Sequence, residues 1–214
     1  MELDDEPPFY TLKFTAHAQL DSTEPDVHIL KYKASILDTS PVTGEIIKAV
    51  GHYDVWRFNV DAYREKDRAH LHDMFDADSD EAAMLYAALF DQSQSIRADL
   101  EIESYDNDIL YFQWGRFSNK DKFSPLSLAA VERIIDCLGG GCCLAALWPW
   151  EKPEAGVNDP PERIFGYIES QEAHEKHWAK IGFNRIAGTS ILIRDLTMRG
   201  YSVEKLLVGR QSPP

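Results

Sequence analysis

The sequence lacks the short motifs that mark several large classes of enzyme. It contains no G-x-S-x-G nucleophile elbow, no G-x-x-x-x-G-K-[ST] phosphate loop and no G-x-G-x-x-G dinucleotide fingerprint. The glycine run Gly139–Gly141 follows a predicted helix, whereas a phosphate-binding glycine loop precedes one. A hydrolase, a kinase and a nucleotide-dependent oxidoreductase therefore have no support from motifs.

Cysteine and long apolar runs are also scarce. The three cysteines, Cys137, Cys142 and Cys143, lie within seven residues, which is not the pattern of a secreted disulfide framework. We expect them to be buried like small apolar residues, with the vicinal pair pointing to opposite faces of a strand. No apolar run reaches 18 residues, and the first eight residues are acidic. The sequence therefore predicts a cytoplasmic protein without a membrane span.

Positive charge is in short supply, because 22 Lys and Arg stand against 36 Asp and Glu, for a net charge of −14. Such a surface repels phosphates, so we expect no direct binding to nucleic acid or to an anionic membrane. Residues 61–108 hold 14 of the acids and only 4 of the bases. This stretch is either a solubilising face or an electrostatic platform for a cationic small molecule or a basic protein. The sequence is also compatible with a homodimer.

Hydropathy patterns predict a mixed α/β fold with a single domain at residues 9–208, between an acidic tail at 1–8 and a tail at 209–214. The predicted elements are strands 9–20, 28–37 and 46–58, helices 61–72 and 80–92, strands 100–103 and 109–117, helix 126–138, strand 142–147, helix 172–181, strand-like pieces within 183–197 and a short helix near 203–207. The first three strands form an antiparallel meander. The strand–helix–strand unit at 109–147 is the parallel-type crossover.

Three segments of the second half carry a family pattern. The first is the strand, loop and helix of residues 109–138. The second is GCCLAALWP at 141–149, which fits the pattern G-C-x-L-x-x-L-x-P, and the third is HWAKIGF at 177–183, which is similar to F-Y-x-K-x-G-F. Together they resemble the GNAT family of N-acetyltransferases over residues 109–196. The resemblance implies a GNAT-like mixed sheet flanked by helices, splayed between the strands near 109–117 and 142–148.

The same resemblance implies acetyl-CoA as the cofactor and an amine as its acceptor. In this family the pantetheine bonds to the strand backbone, and the pyrophosphate meets backbone N–H groups at a helix N-terminus. The residues that would bind acetyl-CoA are Gly115, Arg116, Phe117, Lys122, Ser124, Leu126 and Ser127.

The chain departs from the family pattern at three places that matter for the chemistry. The pyrophosphate loop, R/Q-x-x-G-x-G/A in the family, reads KFSPLS at 122–127, and Pro125 has no N–H to donate. Trp178 stands where a tyrosine protonates the departing thiolate, and residues 111–117 contain no carboxylate to act as a base. No catalytic residue is assigned.

Two functions follow from these observations. The first is an acetyl-CoA-dependent N-acetyltransferase that acts on a cationic amine and relays the proton through water. The alternative is a catalytically silent GNAT-like protein that binds a basic protein through its acidic face and the Trp-rich loop at 148–150.

Metal binding is not expected. Asp76, Asp78 and Asp80 imitate the start of a calcium loop, but the glycine and the final glutamate of that loop are missing. The pairs His70 with His72 and His174 with His177 have no third ligand marked by spacing, so we interpret them as surface histidines.

Overall fold

The computed structural model describes residues 9–17, 25–66, 70–77, 79–117, 124–148 and 172–197. They form one mixed α/β domain in which helices flank a seven-stranded sheet. The strands are β1 Phe9–His17, β2 Ile29–Thr39, β3 Ile46–Phe58, β4 Asp108–Phe117, β5 Cys142–Leu147, β6 Asn184–Arg185 and β7 Leu192–Asp195. Their order across the sheet is β1-β2-β3-β4-β5-β7-β6.

Strand directions agree with the predicted topology. Strands β1 to β4 form an antiparallel meander, and β4 and β5 pair in parallel across a helical crossover. Strand β7 pairs antiparallel with both β5 and β6. The predicted meander and the parallel crossover at 109–147 are therefore confirmed.

The helices are α1 Val60–Lys66, α2 Leu71–Asp76, α3 Asp80–Leu89, α4 Pro125–Leu138 and α5 at 172–178, with short 3-10 turns at Pro25–His28, Ala98–Leu100 and Ala179–Ile181. The prediction of one helix at 61–72 is wrong, because His70 is extended (φ −68°, ψ 122°) and separates α1 from α2. The predicted strand at 100–103 is also wrong. Leu100 closes a 3-10 turn, and Glu101 is left-handed (φ 54°).

Each face of the sheet carries its own core. On one face, α1, α2 and α3 pack over side chains such as Phe58, Ile109 and Tyr111. On the other, α4 packs over Leu110 and Phe112, which alternate with the first set along β4. We name these the α1–α3 face and the α4 face.

The cysteines illustrate this two-sided burial. Cys142 lies in the α4-face core and Cys143 in the α1–α3-face core, so the prediction of opposite faces is confirmed. Burial raises the pKa of the Cys142 thiol to about 11 and that of Cys143 to about 12. Cys137 was predicted to be buried and is instead exposed, because it lies on the outer side of α4.

No helix in the described ranges is both long and apolar enough to cross a membrane. The predicted short helix near 203–207 and both tails lie outside the described residues.

Candidate functional site

The parallel pair β4 and β5 separates halfway along β4. Their pairing runs from Asp108 to Phe112, opposite Cys142 to Leu147, and β5 then ends. The Trp148 N–H still donates to the Phe112 carbonyl oxygen at 3.3 Å. Beyond it, residues 114–117 pair with β3 on one side, and within the described ranges no strand pairs with residues 113–117 on the other. We call this stretch the open edge.

A β-bulge marks the start of the open edge. Val55 pairs with Phe112 and Asp54 pairs with Trp114, so Gln113 is an extra residue in β4. A bulge bends its strand and increases the local twist, and bulges occur often beside functional sites. Here the bulge coincides with the point where β4 and β5 part. Among the described residues, no strand takes up the backbone groups of 113–117 that face away from β3.

Helix α4 begins shortly after the open edge. Ser124 precedes it in an extended conformation (φ −84°, ψ 160°), and Pro125 occupies its first turn, where a missing N–H costs nothing. The Ser127 N–H donates to the Ser124 carbonyl oxygen at 3.1 Å. Of the first three helical residues, only Leu126 thus has a backbone N–H that is neither absent nor used within this turn.

A buried hydrogen bond ties the start of α4 to α5. The Ser127 Oγ lies 2.8 Å from His177 Nε2 and donates to the Ser124 carbonyl oxygen at 2.8 Å. Because the hydroxyl proton is used in that bond, Nε2–H of His177 is the donor to Ser127. His177 is only 3% exposed, and burial, followed by the charges of Lys180 and His174, lowers its pKa to about 4.

Trp178 closes the α4 face below the open edge. Its ring is 5% exposed, and its centroid lies 6.5 Å from the ring of Tyr53 and 6.4 Å from that of Phe183. Its buried Nε1–H has no hydrogen-bond partner within the part of the chain that the structure describes. The indole N–H is not acidic at neutral pH, so Trp178 cannot act as a general acid.

Gly115 is required by the packing of Tyr53. A Cβ at this position would lie 2.3 Å from Cε1 of the Tyr53 ring, which is far inside van der Waals contact. Tyr53 is itself buried and packs edge-on against Phe112 and Phe117. The missing side chain at Gly115 therefore leaves the space that the Tyr53 ring occupies.

We expect Gly115→Ala to lower the free energy of unfolding by about 2 kcal/mol, because the added methyl group overpacks a filled core. Gly140→Ala is the matched control, since a Cβ there meets nothing within 4 Å. Urea unfolding measures both. Equal stability of the two variants would show that Tyr53 moves aside freely and that the packing argument is wrong.

The predicted acetyl-CoA residues divide between two faces. Phe117 packs against the ring of Tyr53, and a Cβ at Gly115 would meet the same ring, so both residues lie on the α4 face. Arg116 pairs with His52 and lies on the opposite, α1–α3 face. Leu126 and Ser127 are buried, so their side chains are unavailable to a ligand in this arrangement, and Lys122 lies outside the described residues.

The remaining motifs are the candidate metal ligands, the histidine pairs and the Trp-rich loop. The described residues contain no group of three metal-ligating side chains. The prediction that His174 and His177 are surface residues is wrong, because both lie on α5 and are buried, with 6% and 3% of their surface exposed. Trp148 is half-buried against the α1–α3-face core, whereas Trp150 and Asp78 lie outside the described residues.

No family model, no curated protein and no solved structure matches this chain.

Proposed function

We propose that this protein is a GNAT-like, acetyl-CoA-dependent N-acetyltransferase that acts on a cationic amine. The open edge is the observation that carries the proposal. An extended pantetheine arm has amide groups that can bond like a short strand, and residues 113–117 offer backbone groups of the matching kind.

The start of α4 offers few hydrogen-bond donors to the pyrophosphate of the cofactor. Pro125 has no N–H and the Ser127 N–H is already used, so the first turn of α4 offers the Leu126 N–H and the positive end of the helix dipole. Lys122, three residues before the helix, would then supply most of the charge that a diphosphate needs.

Acetyl-CoA supplies a thioester, and the chain's part in the reaction is to position the acceptor. The acceptor ammonium first loses a proton to water, and its neutral nitrogen attacks the thioester carbonyl carbon. The C–N bond forms as the C–S bond breaks, and the second amine proton passes through water to the departing thiolate. Positioning alone can contribute several kcal/mol of rate enhancement, so a site without a general acid can still be active.

A second candidate has its own supporting observation. The Ser127–His177 hydrogen bond and the buried Trp178 fill the α4 face next to the open edge. Both features favour a catalytically silent GNAT-like protein that holds a basic partner. In that case the acidic residues of α1 to α3 and the residues that follow Trp148 would form the contact surface. Electrostatic attraction would raise the rate at which the basic partner associates.

Lys122→Glu tests the proposed cofactor site. We expect the variant to bind acetyl-CoA at least about tenfold more weakly than the wild type, because an attractive charge beside the diphosphate becomes repulsive. Lys120→Glu makes the same change in net charge two residues earlier and is the matched control. Calorimetric titration measures both.

Equal loss of affinity in the two variants would mean that only overall charge matters and that Lys122 does not contact phosphate. If the wild type binds neither acetyl-CoA nor CoA at millimolar concentration, the acetyltransferase proposal fails and the silent binding protein remains.

A further inference from the structure

The exposed part of the α1–α3 face is basic, although the chain as a whole has a net charge of −14. Its positively charged or titratable basic side chains are Lys13, His17, Lys31, Lys33, His52 and Arg116, and we call this set the basic face. Asp54 is the acid that shares these rows of paired residues. Acids outnumber bases elsewhere, so this grouping of like charges is a local exception.

Strand register places these residues on one surface. Lys33 pairs with Asp54, which pairs with Trp114, and in the next row Ser35 pairs with His52, which pairs with Arg116. Alternate residues of a strand share a face, and neighbouring strands are about 4.8 Å apart. The side chains of Lys33 and Arg116 therefore flank His52 and Asp54 from the two sides.

The electrostatics of His52 agree with this register. Its pKa is lowered first by partial burial and then by the positive charge of Lys33, with Arg116 adding to the effect and Asp54 opposing it. Two cations from different strands thus act on one imidazole. An anion bound between them would offset both positive charges.

The basic face adjoins the open edge. Trp114 and Arg116 belong to the open edge itself, and Asp54 pairs immediately after the bulge at Gln113. The opposite side of the same edge is filled by the buried rings of Tyr53 and Trp178. Among the described residues, the basic face is the side of this edge that these rings do not fill, so we infer that an acceptor approaches a thioester across it.

We propose that the acceptor is an amine that also carries an anionic group, with the anion held by Lys33 and Arg116 and the ammonium beside Asp54. This inference depends on the proposed acetyltransfer at the open edge. It narrows the acceptor from any cationic amine to a molecule with both charges, such as an amino acid or an amine phosphate. The chemistry of transfer is unchanged: the amine nitrogen gains the acetyl group and loses two protons, and CoA leaves as the thiol after taking up one of them.

A matched pair of acceptors tests the proposal. Phosphoethanolamine and ethanolamine differ only in the phosphate, and we expect the wild type to acetylate the first with a kcat/KM at least about tenfold higher. Arg116→Glu and Lys33→Glu should each remove this preference by raising KM for phosphoethanolamine. Lys176→Glu on α5, whose side chain is exposed and pairs with Glu172, is the control and should keep the preference. Equal use of both acceptors by the wild type would overturn the inference.

A binding measurement separates this inference from the proposed function. The ring resonances of His52 can be followed by NMR while phosphoethanolamine is added without any cofactor. We expect the pKa of His52 to rise, because a bound phosphate offsets Lys33 and Arg116, and the rise should disappear in Arg116→Glu. If acetyl-CoA does not bind but His52 responds, the transferase proposal fails while the anion site stands. If phosphoethanolamine leaves His52 unchanged, or only a single-stranded oligonucleotide moves it, the proposed acceptor is wrong.

Discussion

The Arg194→Met variant is expected to have a free energy of unfolding about 3–5 kcal/mol lower than that of the wild type. Arg194 on β7 forms an ion pair with Glu132 on α4, and both side chains are almost completely buried. Removing the guanidinium leaves a buried carboxylate without its cationic partner, which costs far more than losing both charges together. Denaturant unfolding at pH 7 measures the effect.

Two further variants serve as controls for the loss of one buried charge. Arg133→Met removes an exposed arginine from the same helix, where it pairs with Asp136 at 3.7 Å, and should cost less than about 1 kcal/mol. The double variant Glu132→Gln with Arg194→Met should recover part of the lost stability, because no buried charge remains. If Arg194→Met is no more destabilising than Arg133→Met, the buried pair does not hold α4 to the sheet.

Acid is expected to destabilise this protein through His177. The pKa of His177 is lowered to about 4 in the folded chain, whereas an unfolded histidine has a pKa near 6.5. Between these values the unfolded chain binds the proton more readily, so stability is lost as the pH falls. The full difference is about 3 kcal/mol and is reached below about pH 4.

His177→Gln isolates this contribution, because glutamine does not titrate and can still bond to Ser127. We expect the difference in unfolding free energy between wild type and variant to shrink by about 3 kcal/mol between pH 7 and pH 4. His72→Gln changes an exposed histidine and is the control. A pH dependence that is the same in all three proteins would contradict the burial of a neutral His177.

Local patterns in the sequence predicted most of the sheet. The alternation of Tyr10, Leu12 and Phe14 with polar residues matches a strand with one half-buried face, and all three side chains pack on the α4-face core. The predicted end of the helix at 172–181 is also correct, because the next residue, Gly182, is left-handed (φ 85°) and follows α5 and its 3-10 turn.

Errors arose where tertiary contacts override local patterns. No glycine or proline lies in the predicted helix 61–72, yet the chain turns at His70, where the Leu71 N–H donates to the Gln94 side chain at 2.6 Å. Such a contact joins residues 23 positions apart, and no local pattern predicts it. Cys137 was assigned to the core with its neighbours because composition alone does not show which side of α4 faces solvent.

The sequence could not predict the geometry of the candidate site. The resemblance pointed to residues 109–138, but the bulge at Gln113 and the end of pairing at Phe112 depend on strand register. The bond between Ser127 and His177 joins residues 50 positions apart. A serine in the first turn of α4 and the spacing of His174 and His177 were visible, but nothing in the sequence connected them.

Amide hydrogen exchange, measured with and without acetyl-CoA, tests most directly whether the open edge holds the cofactor. We expect acetyl-CoA to slow exchange at residues 113–117 and at the start of α4, while the amides of β1 and β2 remain unchanged. Unaltered exchange at 113–117 under millimolar acetyl-CoA, or slowing confined to another part of the sheet, would contradict the assignment of this edge as a cofactor site.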